Sequence, residues 1–337
     1  MKKIKVGING LGRIGRTVLR EYFNRNLSDI EIIAVNNPGK IKNFAHLLKY
    51  DSVHGTFQKS IEVASNGLVI NGESINFFHE TDPQKIPWNE MKVDIVIDAT
   101  GVFRDHKSLS KHLGGSVKKV ILCSPAQDLD ATFVMGINSD QYLNEKHHIV
   151  SNASCTTNCL APIAKILHDN WSIENGFMTT IHSYTADQKL LDADHEKDPR
   201  RARAAAISMI PTSTGAAKAL GMVIPELNNK LDGYAIRVPT PNVSILDFTV
   251  NLKKAASIEE INNAMKEASD NKLKDILGYS TEYLVGCDFM GNRCSSIFDS
   301  TLTYVIEKTV KVVAWYDNET GFSNRILDLT SLIGSKL

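Results

Sequence analysis

Apolar and polar positions follow two different regimes along the chain. In the first half, short, mostly apolar runs at residues 4–9, 30–35, 93–98 and 120–124 are separated by helix-spaced segments. Such runs suit strands of a parallel sheet covered on both faces. Ile14, Val18, Leu19 and Tyr22 continue after the first run at helical spacing. Asn66-Gly67 and Asn71-Gly72 lie among the alternating residues 68–70 and 74–77, which predicts a hairpin insertion. In the second half the runs at 177–184, 234–238, 244–250 and 310–315 are longer and partly alternate. They predict a sheet with one face packed on helices, antiparallel or mixed. Leu160, Ile163, Ile166 and Leu167 suit one face of a helix beginning near residue 155. Further helices are expected over 258–268 and from 321 to about 333, the last docking back on the first domain.

The first run leads directly into Gly10-Leu11-Gly12-Arg13-Ile14-Gly15-Arg16. A strand, this glycine spacing and a helix together make the dinucleotide-binding fingerprint: a tight turn at Gly10, room for pyrophosphate at Gly12, close helix–strand packing at Gly15. A glycine-rich turn without a ligand is the alternative. The fingerprint calls for an acidic residue at the end of the second strand, but the chain reads Asn36-Asn37-Pro38-Gly39-Lys40. An amide bonds a ribose hydroxyl without repelling a 2′-phosphate, so the choice between NAD and NADP stays open. Thr100, Gly101 and Ser124, at carboxyl ends of parallel strands, should border the cofactor. The fold class is therefore α/β: a Rossmann-type doubly wound parallel sheet domain plus an α+β domain with a mixed or antiparallel sheet.

With 337 residues, at about 100–200 per domain, the chain has room for two domains. We place them at 1–154, with helix 319–337 packing back, and at 155–318. Lys and Arg together number 38, as do Asp and Glu, so overall charge gives no pull toward nucleic acid or an anionic membrane. No apolar run approaches the roughly 18 residues of a membrane helix, and the start lacks the apolar core of a secretory signal. Five cysteines, an odd number in a long chain, favour reduced thiols and a cytoplasmic location over a disulfide framework.

Small polar residues, Ser151-Asn152-Ala153-Ser154, lead into Cys155 at the expected helix start. A thiol there should have a depressed pKa, because unpaired N–H groups and the helix dipole favour the thiolate. A buried small hydrophobe is the alternative. His182 lies in a strand pattern, followed by Thr185 and Asp187, and such a histidine is commonly structural. Residues 200–203 form a basic cluster without an aromatic stacking platform, more a solvated patch than a nucleic-acid site. Residues 212–217 offer hydroxyls and a turn suited to a phosphate or to capping a helix. Cys155 and Cys159 have no second pair nearby, so no metal is expected.

Taken together, these stretches resemble the glyceraldehyde-3-phosphate dehydrogenase family over essentially the whole chain. The shared wording includes residues 8–16, 47–55, 151–162, 182–188, 200–205 and 315–319. The resemblance implies a phosphorylating enzyme that oxidises glyceraldehyde 3-phosphate to 1,3-bisphosphoglycerate through a thiohemiacetal and a thioester on Cys155, with His182 as general base. It implies that Ser154, Thr156, Thr214 and Gly215 line the site for attacking phosphate. Thr185, Asp187 and Arg237 would hold the substrate phosphate, with Arg201 near both. Arg13, Ile14, Asn37, Ser124 and Asn318 match cofactor-contacting positions. It further implies a homotetramer in which segment 192–206 reaches toward a neighbouring subunit, with no nucleic acid required and no membrane. Asn37, Thr81 and Ala193-Asp194 depart from NAD-specific relatives and put strict NAD specificity in doubt. Erythrose-4-phosphate dehydrogenase is the second reading; an added nucleic-acid or surface-binding role is a third.

Overall fold

The structure is a computed structural model describing residues 3–196 and 198–337; Lys197, within segment 192–206, lies outside the described residues. The chain divides into two compact units, one comprising residues up to 133, 139–153 and 323–337, the other 134–138 and 154–322. Segment 134–138 departs from the unbroken 1–154 span expected from sequence. Gly136 accounts for this: at φ +78 it lies so close to the helix-following residues Leu273 and Ile276 that a Cβ would stand 2.7 Å from Ile276 Cδ1. Helix Thr320–Gly334 likewise begins in the second unit and belongs to the first from Ser323 onward. Within the first unit it is held by Arg25, which pairs with Asp328 at 2.7 Å, and by the Asn324 amide donating to Glu21 at 3.0 Å.

The first unit is built on a nine-stranded sheet. Strand Ile4–Asn9 pairs in parallel with Ile30–Asn36 on one side and Ile95–Asp98 on the other. The chain winds outward from this centre in both directions, so strand order reverses between Ile4–Asn9 and Ile95–Asp98. In an open α/β sheet that reversal opens a crevice at the carboxyl ends of the strands. Register brings Asn36, Asn9, Asp98 and Leu122 abreast along it. The strand interiors, Val6, Ile8, Ile32, Val96, Ile97 and Ile121, are buried as double-sided coverage requires. The insertion forms two successive hairpins over Ile61–Ala64, Gly67–Ile70 and Glu73–Phe78. Asn71 and Gly72, both at positive φ, form the second turn. The first turn falls at Ser65-Asn66, because Gly67 has joined the ladder, where a Cβ would meet the Ile75 carbonyl at 2.0 Å.

The second unit centres on helix Cys155–Trp171, nearly all of whose first ten residues are buried. It packs on an eight-stranded mixed sheet. Ile173–Ser183 pairs in parallel with Leu231–Val238 and antiparallel with Ser244–Leu252, which pairs in turn with Thr309–Tyr316. Met178, Thr180 and His182 are buried on one face of Ile173–Ser183, while Phe177 on the other is 71% exposed. The alternation read from sequence is thus the alternation of this sheet. Helix Ile258–Asp270 starts with a complete capping box between Ser257 and Glu260.

Candidate active site

Two sets of residues carry chemistry, one in each unit. In the first, Gly10 turns at φ +94, and a Cβ on it would lie 2.7 Å from the Thr100 nitrogen. A Cβ on Gly15 would stand 1.9 Å from the Gly10 carbonyl, whereas Gly12 faces open space. Helix Arg13–Arg25 follows with Gly12 as an N-cap that supplies no side-chain bond. The N–H groups of Ile14 and Gly15 have no acceptor within the helix, the arrangement that receives a pyrophosphate. Asn37 Oδ1 accepts from the Leu11 N–H at 2.9 Å, fixing the amide beside the glycine turn. Arg13 is turned away into a two-pronged bond with Asp51 at 2.6 and 3.2 Å, so its side chain is engaged within the protein. Burial tends to raise Asp51, but the His54 N–H, Arg13 and the Val53 N–H outweigh it and hold the carboxyl at about 2. Thr100 donates through N–H and hydroxyl to Asp98 at 3.1 and 2.7 Å. The Ser124 hydroxyl is buried without a protein partner, a polar atom awaiting a ligand at the end of its strand. These residues fit a dinucleotide.

In the second unit, Ala153 at φ 57 precedes Ser154, which caps the central helix by accepting from the Thr157 N–H at 3.0 Å. Cys155 is the first helical residue, and its Sγ lies 3.6 Å from His182 Nε2. Register sets His182 beside Arg237 on the neighbouring parallel strand. His182 Nδ1 lies 2.7 Å from the Ser183 carbonyl and 2.7 Å from Arg237 Nη1, so the ring is anchored on that side while Nε2 faces the sulfur. Burial, then the Arg237 charge, lowers His182 to about 3, leaving a neutral imidazole at physiological pH.

The expected depression of the Cys155 pKa is not met. Burial pushes the thiol up, outweighing the opposing pull of Arg237, of the Thr156 hydroxyl and of the Thr156 and Cys155 N–H groups. The pair therefore rests as neutral thiol and neutral imidazole. Cys159, one turn on and fully buried, is pushed up by burial to about 12 and serves packing.

A chain of polar contacts continues outward. Arg237 Nη1 donates to the Ser183 carbonyl at 3.0 Å and to the Thr185 hydroxyl at 3.2 Å. Thr185 donates to Asp187, and Arg201 pairs with the other Asp187 oxygen at 2.5 Å. Burial raises Asp187, but Thr185, Arg237 and Arg201 together hold it below the usual carboxylate range. Arg201 also donates to Thr212 Oγ1 at 2.8 Å and to the Ser213 carbonyl at 3.3 Å. Thr214 and Gly215 follow in sequence; Thr214 Oγ1 accepts from the Ala216 N–H, and Gly215 caps helix Ala216–Val223. The Thr156 hydroxyl meets Tyr316 at 2.9 Å, and both this hydroxyl and the Thr156 N–H also act on the Cys155 thiol. Arg237 Nε and Gln188 Nε2 are buried donors without a protein acceptor. The basic cluster at 200–203 is partly neutralised in place, since Arg203 pairs with Asp192 at 2.7 Å as Arg201 does with Asp187.

Sequence reasoning did not anticipate what holds Asn318. Its Oδ1 accepts from the Ser183 and Ser244 hydroxyls at 2.9 and 3.0 Å, which identifies Nδ2 as the side chain's donor. Ser244 follows Val243, a β-branched residue at φ 68, packed with Phe289 and Ile297. The Asn9–Asp98–His112 group and Asp51 also went unremarked, since nothing in their spacing marks them. Among the described residues no cluster of three or more His, Cys, Asp or Glu could hold a metal, and no helix is long and apolar enough to cross a membrane.

A dinucleotide crevice joined in one chain to a cysteine backed by a neutral histidine places the protein among NAD-dependent oxidoreductases. Models described as the NAD binding domain and the C-terminal domain of glyceraldehyde 3-phosphate dehydrogenase match residues 4–106 and 154–318. Glyceraldehyde-3-phosphate dehydrogenase 1 of Bacillus cereus is 53% identical over 98% of this chain and 99% of its own length. The Geobacillus stearothermophilus enzyme is 53% identical over 99% of each chain. The chloroplastic form B from Pisum sativum is 50% identical over 99% of this chain and 75% of its own. The chain belongs to the glyceraldehyde-3-phosphate dehydrogenase family.

Proposed function

We infer that the protein is a phosphorylating glyceraldehyde-3-phosphate dehydrogenase, converting glyceraldehyde 3-phosphate and inorganic phosphate to 1,3-bisphosphoglycerate with NAD or NADP. The observation that carries this reading is the 3.6 Å approach of Cys155 Sγ to the Nε2 of a neutral His182. A base of that kind takes the thiol proton as sulfur attacks the aldehyde carbon, giving a thiohemiacetal. That proton passes through Nε2 to the new hydroxyl, while the Ser183 carbonyl and Arg237 steady the ring at Nδ1. When bound, NAD or NADP supplies in its nicotinamide the acceptor for the hydride leaving that carbon, while Nε2 takes the hydroxyl proton. A thioester remains on Cys155, and attack by inorganic phosphate releases the acyl phosphate and returns the sulfur as leaving group, His182 restoring its proton.

Thr185, Asp187 and Arg237 would hold the substrate's phosphate; Ser154, Thr156, Thr214 and Gly215 would hold the attacking phosphate, with Arg201 near both. The unfilled donors Arg237 Nε and Gln188 Nε2 support an anion there. Gly10, Gly12, Arg13, Ile14, Gly15, Asn37, Thr100, Ser124 and Asn318 would hold the dinucleotide, Asn318 offering Nδ2. Asn37 carries no charge to repel a 2′-phosphate, so this position leaves the choice between NAD and NADP open. The exposed Phe177 and Tyr234 on the open sheet face, and Ile207 and Met209 beyond it, suit burial against other copies in a homotetramer. Free thiols throughout suit a cytoplasmic location.

Initial rates test the reading. Product formation should need inorganic phosphate and favour glyceraldehyde 3-phosphate over erythrose 4-phosphate, and parallel assays with NAD and NADP give the preference. Equal rates without phosphate reject it.

A further inference from the structure

The row of residues at the strand reversal is joined by side chains as well as by backbone. Asn36 Nδ2 donates to Asn9 Oδ1 at 2.8 Å, and Asn9 Nδ2 donates to Asp98 Oδ2 at 2.9 Å. His112 Nε2 lies 3.2 Å from the same carboxylate oxygen, and both side chains are fully buried. On the far side of the ring, the Trp88 indole donates to His112 Nδ1 at 3.2 Å. An indole N–H can only donate, so Nδ1 must be a lone pair and the ring proton must sit on Nε2, aimed at Asp98. The other oxygen of Asp98 takes both donors of Thr100. A buried carboxylate with four donors is satisfied; one deprived of a donor is costly and must rotate to find another. Such a rotation reaches the crevice directly. The Thr100 turn abuts Gly10, and the Gly10 N–H donates to the Asn36 carbonyl at 2.8 Å.

We propose that His112, held in its Nε2–H form by Trp88, is a positioning residue for the dinucleotide: it completes the donor shell of Asp98 and thereby fixes the Gly10 and Thr100 turns. The proposal rests on the reading of this unit as a dinucleotide site. No group of the histidine touches the ligand; its influence travels through Asp98.

Calorimetric titration of NAD into the full-length protein tests this, alongside kcat and the KM for glyceraldehyde 3-phosphate at saturating NAD. His112→Leu should weaken NAD binding about tenfold, as loss of a hydrogen bond to a buried charge implies, with little change in kcat. His112→Gln keeps an N–H for Asp98 and should stay within about threefold of the parent. Trp88→Phe should weaken binding in the parent but add nothing in the His112→Gln background, which has no Nδ1 to control. Unchanged NAD affinity in His112→Leu, or a Gln variant as weak as the Leu variant, overturns the proposal. Should the Leu variant fail to fold, the Trp88–Gln cycle decides: equal weakening in both backgrounds means packing alone and overturns it. A parent protein that does not bind NAD would instead overturn the reading of the unit.

Discussion

The dinucleotide crevice of the first unit is assembled largely from backbone, whereas the cysteine cluster of the second is assembled from side chains. In the crevice, Gly10, Gly12 and Gly15 leave room and the first helical turn leaves donors. In the cluster, Cys155, His182, Asp187, Arg201 and Arg237 come from a helix start, two strands and a long loop, and each side chain has its own partner. Backbone sites tolerate changes in side-chain identity but not in space. Side-chain sites tolerate neither at the reacting atoms. Their electrostatics differ in the same way, since the crevice presents oriented dipoles while the cluster balances a half-buried thiol and a buried imidazole against two guanidinium groups.

The contrast is sharpest at Cys155. Cys155→Ala should lower kcat by about 10³-fold or more while leaving NAD affinity unchanged, measured by steady-state rates and cofactor titration. His182→Asn comes next, with a loss of about 10²-fold or more. It also changes the pH dependence of stability. The folded pKa of His182 lies near 3, below its value of 6.5 when unfolded, so its contribution is present above pH 6.5 and is lost as pH falls toward 3. Denaturation midpoints of the Asn variant should therefore fall less steeply across that window.

In the crevice, glycine pairs separate fold from ligand. Gly12→Ala places a methyl in open space, so the melting temperature should hold while NAD binding weakens about tenfold or more. Gly15→Ala drives a methyl into the Gly10 carbonyl and should lower both. If Gly12→Ala melts early with normal NAD binding, the crevice is not where the dinucleotide sits. The smallest effect is expected at Asp51→Asn, about 1 kcal/mol of stability at neutral pH. The folded carboxyl is held near 2 against 3.8, so the difference from the parent should be full above pH 4 and vanish as pH falls toward 2.

This division also explains what could be read in advance. Glycine spacing and apolar runs are local signals, so the central parallel strands, the helix starting at Cys155 and the mixed sheet were legible from the chain alone. The cluster was legible only through resemblance. His182 and Arg237 are 55 positions apart and meet because two strands pair in one register, which no local pattern encodes. The thiol pKa went wrong for a related reason: the helix start is local, but the burial that outweighs it comes from the packed unit. Asn9, Asp98 and His112 were passed over because buried polar residues look ordinary until their partners are known.

Val243 adds a mechanical consequence. A valine at φ 68 carries roughly 1–3 kcal/mol of backbone strain, and it persists because its methyls are wedged beside Phe289 and Ile297. The turn works like a sprung catch: relaxing it would pull those methyls from their socket and swing the Ser244 hydroxyl off Asn318. Rigidity at one amide is thus secured by tension a residue away, and a looser, more comfortable turn would release its grip on that amide.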